Sequence, residues 1–132
     1  MIIAVAAGLD LLAALVHLGI IAGGPAWYRF FGAGEDLARM AERGHPWPTI
    51  VTTAIAAGLA GFALYTWSLS GRCCQTLPWQ REVVWGITCL YALRTAVPLL
   101  LAPWVTSLRT PFMLVSSLVC GAYAVTHALV LL

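Results

Sequence analysis

At 132 residues the chain is 61% hydrophobic and 9% charged, with a formal net charge of +2. Soluble domains carry about 25% charged residues, so a water-soluble globule is excluded, because a chain this short has no way to hide so much apolar surface. All seven basic residues are arginines scattered along the sequence, which excludes both the clustered patch of a nucleic-acid binder and a polybasic run that docks on anionic lipid.

The apolar residues fall into long, nearly uncharged runs: Ile2–Ala22, Thr49–Ser70, Val83–Trp104 and Phe112–Leu132. Each has about the 20 residues that a helix needs to cross ~30 Å of hydrocarbon. Runs without strict alternation select helices over barrel strands, and in lipid only these two satisfy their own backbone. The expected fold is an all-α membrane protein, a four-helix transmembrane bundle formed by residues 1–132 as one domain, with a short interfacial helix in the first loop.

The first run carries Asp10 and His17 and lacks a basic leader, so it is read as a span and not as a cleaved signal. Its end holds Gly19 and Gly23, a small-xxx-small pair that lets helix backbones approach. The loop 23–48 opens with an aromatic cluster, Trp27, Tyr28, Phe30 and Phe31. Glu35–Arg43 follows, flanked by Gly34 and Gly44. Acids at its start and arginines at its end suit a helix dipole, Glu35 and Arg39 have pairing spacing, and Gly44 suits the stop. A helix lying at the interface on its aromatic anchors is expected, with a lid over a cavity as the sharper alternative.

The second span repeats the small-residue pattern at Ala54/Gly58 and Ala57/Gly61. Cys73 and Cys74 are adjacent, and neither they nor Cys89 and Cys120 make a C-x-x-C or zinc spacing, so reduced thiols and no metal or other cofactor are expected. Pro98 in the third span cannot donate to the Arg94 carbonyl and should kink the helix there. Thr88, Tyr91, Thr95 and Tyr123 would line a small polar cavity beside that kink. The six tryptophans divide into two groups on opposite sides of the membrane, Trp27, Trp47 and Trp104 against Trp67, Trp79 and Trp85, as interfacial belts do. Arg29, Arg39, Arg43 and Arg109 share the first of these sides, which the positive-inside rule makes cytoplasmic, with both ends of the chain outside.

Ionisable groups inside spans are costly and are candidate functional sites. Here they are Asp10, His17, Arg94 and His127, and all four are taken as ligand-binding candidates. Asp10 and Arg94 lie within about 3 Å of the same depth at the helical rise, so a contact between them is expected. It serves either as a clip that fixes register or as the seat of a ligand headgroup or proton. His17 and His127 fall about 15 Å apart along the membrane normal, too far to clamp a haem. His45, beside Pro46 in the loop, is read as solvated.

The length, the number of spans and the long first loop Gly23-Gly24-Pro25-Ala26-Trp27-Tyr28-Arg29-Phe30-Phe31-Gly32 resemble the small bacterial four-helix inner-membrane proteins called DoxX-like. That resemblance is one of layout. It implies a multi-pass protein of the bacterial inner membrane and an accessory membrane subunit, sometimes tied to quinone-linked redox chemistry. The leading expectation is a non-catalytic accessory subunit or a module that binds a lipid-like or quinone-like ligand. Membrane lipids, a membrane-protein partner or a second copy of the chain are its partners, and nucleic acid is not. The alternatives are an enzyme acting on a lipid or isoprenoid by proton transfer between Asp10 and His127, and a small oligomeric transporter.

Overall fold

The computed structural model describes residues 1–72 and 77–132; Cys73 and Cys74 lie outside the described residues. It has the helices α1 (Ile2–Phe30), α2 (Glu35–Glu42), α3 (Trp47–Ser68), α4 (Gln80–Leu101) and α5 (Pro111–Leu131), with a 3-10 turn at Thr106–Leu108. Among the described residues there is no strand. Helices α1, α3, α4 and α5 are long and apolar enough to cross a membrane, so the protein is an all-α, four-span chain with one short helix in its first loop. Only 22 to 28% of each apolar window is buried within the protein. Large aliphatic side chains such as Leu15, Leu93 and Leu118 point outward instead, an arrangement stable in lipid and untenable in water.

The chain divides into two compact units, one comprising Met1–Leu9 with Phe62–Leu132, the other Asp10–Gly61.

In the Asp10–Gly61 unit, α1 breaks where its apolar run ends. Gly24 takes φ 66° and ψ −152°, a backbone that glycine alone adopts readily, and Pro25 restarts the helix. The aromatic segment expected to be loop is therefore the last turns of α1. Both ends that follow close alike. Ala33 N–H donates to Tyr28 O and Gly32 N–H to Arg29 O; His45 N–H donates to Met40 O and Gly44 N–H to Ala41 O. Gly32 and Gly44 have φ 64° and 68°, completing two glycine C-caps of the Schellman type. Ile20, Tyr28 and Ala38 form the buried cluster, with Val16, Phe31, Ala33 and Ala41 packed on it. Tyr28 Oη bonds to Thr52 Oγ1 on α3 at 3.2 Å.

The polar face of α2 is tied back to α1. Arg29 donates to both carboxylate oxygens of Glu35 at 2.9 Å and to Glu42 at 2.8 Å, and Arg39 reaches Glu35 at 3.3 Å. The Glu35–Arg39 pair was legible from its spacing; the Arg29 fork was not, because it needs the chain to fold back through Gly32. Hydrogen bonds from Arg29 hold the Glu35 carboxyl down at about 2, below its ordinary 4.5. A carboxyl depressed on folding stabilises above its unfolded pKa, and that contribution is lost as pH falls through the folded one. The mobility of a spin label on α2 is expected to be constant above about pH 4.5 and to rise between there and pH 2; a flat profile would mean that the fork does not hold the helix.

The expected role of the small residues changes here. A Cβ on Gly23 would fall inside the Trp27 indole, and one on Gly19 would lie 3.4 Å from its ring edge. That glycine pair accommodates a side chain of its own helix. A Cβ on Gly58 or Gly61 would meet nothing within 4 Å, so the α3 glycines make no close approach among the described residues.

In the other unit, α4 and α5 pack antiparallel. Contacting residues run in opposite numerical order: Arg94 to Ser117, Tyr91 to Tyr123 with ring centroids 5.2 Å apart, and Arg81 Nη2 to Leu131 O at 2.7 Å. Gly121 leaves room for Thr95, whose methyl would lie 3.3 Å from an added Cβ. Phe62 stacks edge-on to Tyr91, and Tyr123 Oη donates to Leu9 O at 2.8 Å. Arg109 donates to Ala102 O and Pro103 O, satisfying carbonyls at the α4 end.

Candidate functional site

Helix α4 carries Arg94 on the face it turns to α5. The Nη1 of Arg94 donates to Ser117 Oγ at 3.4 Å; Nη2 donates to Ser116 Oγ at 3.2 Å and to Met113 Sδ at 3.6 Å. Ser116 gives its own proton to Met113 O, which leaves its lone pairs to the guanidinium. All these acceptors are neutral. Glu82 is the single side-chain acid of this unit, and it lies about 18 Å along the same helix at the α-helical rise. No carboxylate of its own unit therefore reaches Arg94. Neutral hydroxyls compensate part of the desolvation of a cation, and an anion compensates far more.

Beside Arg94 lies an open groove of about 450 Å³. Leu90, Leu93, Val97 and Pro98 of α4 form its long wall, and Leu108 and Met113 complete it. Arg94 is the single charged side chain among the described lining residues. The site is thus an apolar groove with one fixed positive charge.

The polar cavity expected beside Pro98 is not this groove, whose lining is apolar apart from Arg94. Thr88 Oγ1 donates to Val84 O and Thr95 Oγ1 to Tyr91 O, so both hydroxyls satisfy the preceding helical turn, and neither lines the groove.

His127 is completely buried on α5. Its Nδ1 lies 2.8 Å from Tyr123 O. A carbonyl only accepts, so Nδ1 carries a proton. The Tyr91 ring packs on it at 5.4 Å. In the other unit Asp10 is completely buried, and the half-buried His17 donates from Nδ1 to Ala13 O at 2.8 Å. Asp10 and Arg94 belong to different units, and their expected pairing is put to a double-mutant test below. Exposed His45 accepts from Trp47 N–H at 3.1 Å. Cys89 and Cys120 are free thiols.

Sequence reasoning singled out Arg94 but missed Ser116, Ser117 and Met113. The signal was present: two adjacent serines interrupt an apolar span at nearly the distance from the connecting turn at which Arg94 precedes it.

No family model, curated protein or solved structure matches this chain.

Proposed function

We propose that this protein is a non-catalytic membrane module that binds a lipid-like or quinone-like ligand, with the ligand's polar end at Arg94 and its apolar body in the α4–α5 groove. The observation that carries this reading is the guanidinium itself, set in a groove with otherwise apolar lining and bonded, among the described residues, to neutral acceptors. An ionised group within a span is costly, which makes it a functional-site candidate by default. Asp10, His127 and His17 are the further candidates for ligand contact. The four-span layout with its aromatic first loop supports a DoxX-like accessory subunit of the bacterial inner membrane, working beside a membrane-protein partner or a second copy.

A photoactivatable single-chain amphiphile tests the reading. Labelling is expected on the peptides that carry Leu93, Val97 and Met113, and Val97→Trp, which fills the groove, is expected to reduce it at least tenfold. Labelling spread evenly over all four spans would contradict the proposal.

A second reading is proton transfer on a lipid or isoprenoid by Asp10 and His127. It draws on the complete burial of both side chains and on the hydrogen bond that holds the His127 ring to Tyr123 O, since an acid or base must be positioned. A lipid product that forms with wild type and not with Asp10→Asn or His127→Gln would favour it over simple binding. No product from any candidate substrate would remove it.

A further inference from the structure

We infer that the ligand of the Arg94 groove is a single-chain carboxylate, a long-chain fatty acid, whose headgroup takes a two-point hydrogen bond from the guanidinium while its chain lies along Leu90, Leu93 and Val97. The inference rests on the binding reading above and adds the chemistry of the polar end. Charge balance comes first. The groove holds one cation, and among the described residues of its unit no acid reaches it, so a single negative charge completes the site. A neutral quinone leaves the cation uncompensated. Shape comes second. A guanidinium is planar and presents its N–H groups as a fork that matches the two oxygens of a carboxylate. Its bonds to Ser116, Ser117 and Met113 anchor the fork from the α5 side, and Nε makes none of them.

Depth selects the source of the anion. Arg94 lies about 10 Å inside the Leu101 end of α4 at the helical rise. A 22-residue helix spans about 33 Å, so that end sits at headgroup level, outside ~30 Å of hydrocarbon. A two-chain phospholipid keeps its phosphate there. A fatty acid has no glycerol and no second chain, and its carboxylate can sink to the guanidinium.

The full-length protein in nanodiscs of phosphatidylcholine is offered palmitate, hexadecanol and phosphatidylglycerol in separate arms, and bound amphiphile is read by native mass spectrometry. Palmitate is expected to bind at one per chain and at least tenfold more tightly than hexadecanol. Arg94→Gln is expected to abolish that difference, and Arg94→Lys, which keeps the charge without the fork, to retain part of it. Should Arg94→Gln fail to fold, Leu93→Trp blocks the groove with the cation in place and is expected to exclude palmitate. Equal binding of hexadecanol and palmitate would overturn the carboxylate and leave the binding reading standing. Phosphatidylglycerol binding as tightly as palmitate would overturn the single-chain source. Binding of none of the three, and retention of no other lipid, would remove the underlying reading as well.

Discussion

Arg94→Met is expected to leave the fold within about 1 kcal/mol of wild type while reducing retention of a bound amphiphile at least tenfold. A half-buried cation whose partners are neutral gives little net stability, since replacing even buried ionic groups by apolar ones of similar volume is often neutral or stabilising. The residues it leaves behind are provided for. Ser116 still donates to Met113 O, and a serine inside a helix can turn its hydroxyl to the preceding carbonyls. Stability kept and function lost is the signature of a residue retained for its task. The opposing account is a structural clip with Asp10, and it makes a different forecast. Removing one member of a buried pair costs about 3 to 5 kcal/mol, because it strands the other charge. The cycle of Asp10→Asn with Arg94→Met, read by thermal unfolding in a fixed detergent, separates the two. Arg94's neutral acceptors on α5 lead us to expect additivity within about 0.5 kcal/mol. A coupling of several kcal/mol would establish the clip and weaken the case for an external anion.

Gly23→Leu is expected to be the most damaging single change in the Asp10–Gly61 unit, with a cost of at least about 1 to 3 kcal/mol, the usual range for forcing atoms into filled space. The reason is local. Any Cβ at position 23 falls within the Trp27 ring, and Trp27 cannot retreat freely, because it also stacks on Phe31 at 5.7 Å. Displacing it disturbs the turns between the Gly24 kink and the Gly32 cap, and with them the Arg29 fork that holds α2. Gly58→Leu is the control. It sits in the same kind of sequence motif but meets open space, so it should be tolerated in a monomer. A detergent-solubilised Gly23→Leu protein that melts with wild type would show that the indole has another place to go.

Much of the fold was legible because apolar runs of membrane length have few alternatives. The four expected spans match α1, α3, α4 and α5, and the short helix expected at Glu35–Arg43 is α2. The errors have physical causes. Hydropathy placed the start of the third span at Val83, whereas α4 begins at Gln80, since a helix can run on through a polar first turn that hydropathy does not register. Hydropathy likewise ended the first span near Ala22, where the kink is, but could not show that Pro25 restarts a helix through Phe30. The small-xxx-small pattern says that something approaches closely and not what; at Gly23 it is an indole. The charge in the third span was conspicuous, but what it bonds to depends on which face of α5 is presented to it.

The central claim is that Arg94 holds the polar end of a bound amphiphile. Native mass spectrometry of the protein released from its source membrane, compared between wild type and Arg94→Gln, tests it most directly. The account predicts one amphiphile retained per wild-type chain and none on the variant, with both proteins equally helical. An identical lipid complement on the two would contradict it.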